Sequence, residues 1–181
     1  MPEYRRVHIE GGTYFFTAVT YKRRPLFADQ ITRDLYFSAI RNIQVNHPFN
    51  QIAYCILPDH IHCIWTLPNN DYNYSMRWKL IKCKFSKFFQ YQFGHVASTN
   101  ESRNKRGEVA VWQRRYWEHT IFDDDDLYNH IDYIHYNPVK HKYVSDPYEW
   151  PWTSLLNYYN PDSTSSNLSK KENLIILPLS V

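Results

Sequence analysis

The stretch QIAYCILPDHIHCIWTL, residues 51–67, decides the fold. Two runs rich in aliphatic, β-branched and aromatic residues, 51–57 and 60–67, flank Pro58-Asp59. Proline cannot donate to a strand ladder and Asp favours a turn, so the segment reads as an antiparallel hairpin. Towards the N-terminus, TYFFTAVTY (13–21) follows Gly11-Gly12 and has the composition of another strand. Between them Asp29 stands as a cap before Ile31, Leu35, Phe37, Ile40 and Ile43. Their spacing, mostly three or four, predicts a helix ending near His47-Pro48.

Beyond the hairpin, SMRWKLIKCKFSKFFQYQF (75–93) predicts a second helix. Trp78, Ile81, Phe85, Phe88 and Phe89 fall in one apolar sector, with Arg77, Lys79, Lys82, Lys84 and Lys87 forming its wet face. Residues 95–108 are polar and aperiodic, which predicts a loop before a strand at AVWQRRYWEHTIF (110–122). Asp123 to Asp126 then open a third helix, where carboxylates complement the positive end of its dipole. Pro138 is expected to end that helix, because proline disfavours helical geometry in the residue before it. The order strand, helix, strand, strand, helix, strand, helix is that of an α+β, ferredoxin-like (RRM-like) split β-α-β sandwich, with an antiparallel sheet and an additional C-terminal helix.

With 181 residues, 43% of them hydrophobic, the chain suits one domain, read as 1–153, followed by a tail at 154–181. The tail carries the polar NPDSTSSNLSKKEN and ends in the apolar LIILPLSV. A net charge of +3 only mildly favours an anionic partner. Three cysteines without a framework spacing, and a start lacking an apolar run, lead us to expect a reduced cytoplasmic protein. No run of 18 apolar residues occurs, so no membrane partner is expected.

His60-Ile61-His62 carries the sharpest chemical signal. Alternation along a strand sends both imidazoles to one face, with Ile61, Cys63 and Trp65 opposite. Two such ligands can share a divalent ion but need a third, and alone such a pair is more often a satisfied polar surface feature. A metallo-β-lactamase-type site would continue His-x-His-x-Asp-His, whereas positions 64 and 65 are Ile and Trp. On the third helix Leu127, Ile131 and Ile134 define the core face, and Asp126, His130, Tyr133 and Asn137 fall within roughly 60° of one another on an exposed stripe. Tyr133 packing at the core edge and Asn137 capping the helix end would explain that stripe without function. A functional reading needs both signals at once: if the Asn137 carboxamide oxygen supplied the third ligand beside His60 and His62, the ion would sit within reach of the Tyr133 hydroxyl, one turn away. Such imidazole and oxygen donors suit Mg²⁺ or Mn²⁺ holding a phosphate oxygen.

Four stretches in order, YRRVHIEGGTYFFT (4–17), LPDHIHCIWTLP (57–68), VWQRRYWEHTI (111–121) and HIDYIHYNPVKH (130–141), resemble the REP-associated tyrosine transposases, single-tyrosine members of the HUH endonuclease superfamily. The resemblance runs from about residue 4 to 153. It implies that His60 and His62 bind the metal, Mg²⁺ or Mn²⁺, with Asn137 as third ligand and Tyr133 as nucleophile. Tyr128 and Tyr136 are competing tyrosines displaced from the Asn137 stripe. The implied reaction is cleavage of single-stranded DNA beside a hairpin of the REP-palindrome type. It leaves a 5′-phosphotyrosine and a free 3′-hydroxyl, and another 3′-hydroxyl can reverse it. His130 lies on the right stripe for proton transfer, but no general base is assigned.

Arg5 and Arg6 are expected DNA contacts, as are Arg114 and Arg115, which interleave with Trp112, Tyr116 and Trp117. An aromatic edge strand with solvated arginines explains the latter pattern equally well. The expected state is a monomer in the cytoplasm, associated with the nucleoid, with a dimer as the alternative. Two competing functions are a non-catalytic nucleic-acid-binding module on the same sheet and a structural zinc site at Cys55, Cys63 and His62. The second is weakened by Cys63 facing away from His62.

Overall fold

The hairpin forms as read: β2 (Asn50–Leu57) and β3 (His60–Thr66) pair antiparallel, from Leu57 opposite His60 to Asn50 opposite Thr66. The computed structural model describes residues 8–94 and 109–158. β1 (Thr13–Val19) lies beside β3, and a short β4 (Trp117–Thr120) closes the other edge, giving the order β2-β3-β1-β4 with every pair antiparallel. Inserting β3 between β1 and β2 is the split β-α-β arrangement expected of a ferredoxin-like fold. Gly11, at φ +66°, turns the chain into β1 in a conformation that side chains with a Cβ resist.

Strand alternation divides the sheet into two faces. Tyr14, Phe16, Ala18, Ile61, Cys63 and Trp65 point to the face covered by α1 (Gln30–Gln44) and α2 (Tyr74–Phe93), through Tyr36, Ala39, Ile40, Trp78, Ile81 and Phe85. Phe15, Ala53, Cys55, Leu57 and Ile64 point the other way, against Ile131 and Ile134 of α3 (Asp124–Lys140). Both early helices start on side-chain caps, since Asp29 accepts from the Thr32 N–H and Asn73 from the Met76 N–H. After α3 the chain runs along the open side of β2. Ile56 N donates to Trp152 O, Ser154 N to Tyr54 O, and the Trp150 indole to Ile56 O, so this edge is covered.

Three expectations need correction. The strand read over 110–122 shrinks to Trp117–Thr120 plus an isolated bridge between Thr20 and Trp112. Gln113, Arg114 and Arg115 are consecutively exposed, which breaks the alternation a half-buried strand requires, while Val111 and Trp112 drop into the first core. Pro138 does not end α3, which runs on to Lys140. In the last turn a proline removes one donor, and the carbonyls on either side of its ring are bonded locally, Asn137 O by His141 N and Pro138 O by Tyr143 N. Arg77 does not belong to a wet face; it is buried and ion-paired to Asp71 at 2.7 Å.

Candidate functional site

The second face of the sheet carries the site, because alternation places Thr17 of β1 directly opposite His62 of β3. His60 and His62 project together, their rings 4.9 Å apart and nearly perpendicular. Both are almost fully buried, so the surface-pair reading fails. Each ring is held through Nδ1: that of His62 lies 2.9 Å from the Thr17 hydroxyl, and that of His60 lies 2.5 Å from Asp59 Oδ1. Asp59 also takes an ion pair from Arg23 at 2.9 Å. Nε2 of each ring is left as the nitrogen for a ligand.

Electrostatics keep these imidazoles neutral. Burial pushes His62 down to about 3, and electrostatic interaction with the neighbouring His60 and His141 and with the Lys140 ammonium acts in the same direction. Burial also lowers His60, against the opposing pull of Asp59. A neutral imidazole has the lone pair that a cation requires.

Asn137 of α3 is fully buried, not on the exposed stripe expected from the helical wheel. The wheel fixes an angle but not the depth of neighbouring elements, and here the sheet rises to meet that angle. Its carboxamide stands close enough to His62 to oppose the fall in the imidazole's pKa, yet Oδ1 and Nδ2 both lie outside hydrogen-bonding geometry with any described partner. Orphaned buried amide atoms are costly and rare. Two neutral imidazoles and an unpartnered carboxamide form a donor set that fits a divalent ion.

Tyr133 stands beside this group, its ring 5.3 Å from that of His62 and 5.9 Å from Phe15, with Lys140 Nζ 4.8 Å above its centroid. It is 39% exposed, at the side of a cleft of about 690 Å³ that Arg23, His60, His62, Trp117, His130 and His141 also line. The competing Tyr128 and Tyr136 are not among the residues of that cleft.

Arg114 and Arg115 are exposed on the connection leading into β4, while Trp112 and Tyr116 pack against the first core. Trp117 alone of the interleaved aromatics is widely exposed, at 54%, and it lines the cleft. Arg5 and Arg6 lie outside the described residues. Cys55 and Cys63 point into different cores, which disposes of a Cys55–Cys63–His62 zinc site. Sequence reasoning missed Thr17, Asp59 and His141, the last with its ring 5.2 Å from His60. It placed Asp126 on one stripe with His130 but gave it no role beyond the acidic run, and it missed the His119 imidazole that Asp126 meets from β4. Among the described residues one group of three His or Asp side chains brings its ligand atoms within 4.8 Å of one another: His119, Asp126 and His130.

An antiparallel ferredoxin-like sheet bearing His-x-His beside a helix-borne tyrosine and amide defines a class of nucleic-acid strand-processing enzymes. The profile described as "Transposase IS200 like" matches residues 9–137, and the chain belongs to that transposase family. It is 43% identical over 155 residues to an inferred REP-associated tyrosine transposase of Haemophilus influenzae, covering 86% of each chain. It is 39% identical over 156 residues to a REP-associated tyrosine transposase of Escherichia coli, covering 86% of this chain and 83% of that one. A solved structure described as a REP-associated tyrosine transposase bound to a REP hairpin superposes with a TM-score of 0.71 at 32% identity, covering 98% and 99% of the two chains. The family depends in general on a divalent metal ion. No described helix is long and apolar enough to cross a membrane.

Proposed function

We propose that this chain cleaves and rejoins single-stranded DNA beside a REP-type hairpin, with Tyr133 as nucleophile and His60, His62 and Asn137 holding Mg²⁺ or Mn²⁺. The observation that carries the reading is the fully buried, unpartnered Asn137 carboxamide beside two neutral imidazoles and Tyr133. The bound ion would polarise the scissile phosphate and offset the charge that grows on it. Tyr133 attacks phosphorus, the bond to the 3′ oxygen breaks, and a 5′-phosphotyrosine remains beside a free 3′-hydroxyl. Because the link preserves the phosphodiester energy, another 3′-hydroxyl can displace Tyr133 and complete strand transfer without ATP.

The chain's own residues provide the rest. Thr17 and Asp59 orient the two imidazoles. Arg23, Arg114 and Arg115 offer phosphate contacts, and exposed Trp117 at the side of the cleft offers a face on which an unpaired base stacks. Arg5 and Arg6 are further proposed contacts. A monomer is the proposed working unit, acting on DNA in the nucleoid.

The deciding experiment incubates labelled single-stranded hairpin oligonucleotides with Mg²⁺ or Mn²⁺ and the wild type, Tyr133→Phe or His62→Ala, then resolves them on a denaturing gel. The reading requires a metal-dependent covalent protein–DNA band, absent from both variants. Binding with no covalent band under either metal would replace it with the non-catalytic nucleic-acid-binding module.

A further inference from the structure

The Asp126 carboxylate holds two imidazoles that the proposed reaction has so far not used. Its Oδ2 lies 2.8 Å from Nε2 of His119 on β4, and its Oδ1 lies 3.0 Å from Nδ1 of His130, one turn along α3. Oδ2 also accepts the Phe122 backbone N–H at 3.2 Å. The two imidazoles stack, 4.6 Å between centroids and 16° from parallel. Phe15 packs against His130 at 4.9 Å and against Tyr133 at 5.9 Å, between β1 and α3.

This network fixes where the His130 proton sits. A carboxylate can only accept, so the imidazole nitrogens facing it carry hydrogens. His130 Nδ1 also faces the Asp126 backbone carbonyl at 2.8 Å, a second pure acceptor. Neutral His130 therefore bears its proton on Nδ1 and its lone pair on Nε2. Nε2 takes no hydrogen bond among the described residues, and His130 lines the same cleft as Tyr133, three residues away on one helix face. Against burial, which acts the other way, the His119 and Phe122 bonds and the nearby imidazoles hold Asp126 below the usual carboxylate range, so it stays an acceptor. The three ligand atoms would also suit a cation by distance, but the carboxylate already takes the His119 and Phe122 donors, and the His130 Nδ1 hydrogen goes to the Asp126 backbone carbonyl, with the carboxylate 3.0 Å away.

We infer that His130 is the catalytic proton acceptor for the Tyr133 hydroxyl, with Asp126 and His119 as positioning residues. The inference rests on the phosphotyrosine reading above. In cleavage the Tyr133 proton passes to His130 Nε2 as the Oη–P bond forms, the P–O3′ bond breaks, and the departing 3′ oxygen takes a proton from water. In strand transfer an attacking 3′-hydroxyl loses its proton to water, and His130 returns a proton to Oη as Tyr133 leaves. The imidazolium that exists between the two steps is stabilised by the Asp126 carboxylate.

The test uses the full chain with the hairpin that the wild type joins fastest out of a labelled single-stranded library. His130→Ala should slow covalent-product formation about 10²- to 10⁴-fold, the usual yield of a positioned acid or base, with hairpin affinity within about twofold of wild type. Added imidazole should restore part of the rate, which a misfolded variant cannot show. A 3′-bridging phosphorothiolate, whose sulfur leaves without a proton, should not restore it. His130→Gln, a polar replacement, should lose as much while melting at the wild-type temperature. Asp126→Asn should lower the rate at least about tenfold at unchanged affinity, again without rescue by the 3′-thio substrate. A wild-type rate in His130→Ala overturns the inference, and so does full rescue by the thio substrate, which would assign His130 to the leaving oxygen. If the wild type itself forms no adduct with any hairpin under either metal, the underlying reading falls and takes this inference with it.

Discussion

The hydroxyl of Thr17 lies 2.9 Å from Nδ1 of His62, its register partner across β1 and β3. One sheet pairing thus orients an imidazole whose other nitrogen is free for an ion. Thr17→Val keeps the shape and strand preference but removes the oxygen. Partners of this kind typically contribute 10- to 100-fold in metal affinity, so Thr17→Val should weaken Mn²⁺ binding by about tenfold or more. Titration of Mn²⁺ followed by electron paramagnetic resonance measures this, and unchanged affinity in a folded variant would refute the positioning role.

Asn137 should oppose stability to function. Its two polar atoms are buried without partners, and such a group costs roughly 1–3 kcal/mol. Asn137→Leu keeps the branching and removes that cost, so the metal-free variant should be more stable than the wild type by on the order of 1 kcal/mol. It should also lose Mn²⁺ binding. Urea melts and the same titration give both readouts. A variant that is destabilised yet still binds the ion would exclude the amide as a ligand.

Much of this was legible in the chain. The hairpin at 51–67, the same-side imidazoles and the Tyr133–Asn137 spacing follow from periods of 2 and 3.6, which do not depend on the rest of the fold. The short β4 was not legible, because its neighbours are aromatic and β-branched like a strand but turn Trp112 into a different core. Asn137's burial was hidden because a helical wheel shows direction without showing what lies there. Asp126 was half legible: the helical period puts it on the His130 stripe, but the acidic run suggests a dipole effect, and the His119 imidazole that it meets comes from β4. Arg77 was hidden because, besides Asp71, its acceptors are the backbone carbonyls of His47, Pro48 and Asn73, which sequence does not display.

Acid should destabilise the fold partly through His135. This imidazole is buried, with Nε2 2.9 Å from Ser154 Oγ, and burial lowers it to about 4 from an ordinary value near 6.5. Below pH 6.5 the unfolded chain binds a proton that the folded one refuses, so the stability is present above 6.5 and is lost as pH falls through 4. A gap of that size corresponds to on the order of 3 kcal/mol. His135→Leu should be weaker at pH 7, having lost the Ser154 bond, but should show a shallower fall between pH 6.5 and 4. Urea midpoints across that range test it, and equal slopes would remove His135 as a cause.

Arg77 is the polar side chain on which the start of α2 depends. Its guanidinium donates to Asp71 Oδ2 and Pro48 O, both at 2.7 Å, and to Asn73 O at 3.2 Å, joining the α1–β2 connection to the first turn of α2. These acceptors are spread around a planar fork, and a lysine ammonium, a single point of charge, cannot reach all of them. Arg77→Lys should therefore cost about 2 kcal/mol or more, since it leaves buried carbonyls unpaired and a buried cation poorly solvated; the partial exposure of Asp71 keeps the loss below that of a fully buried pair. Lys79→Met, two residues on and exposed, should change stability by less than about 0.5 kcal/mol. Urea unfolding of the two variants side by side separates a structural arginine from a solvated lysine on the same helix, and equal midpoints would show that the buried guanidinium network contributes nothing net.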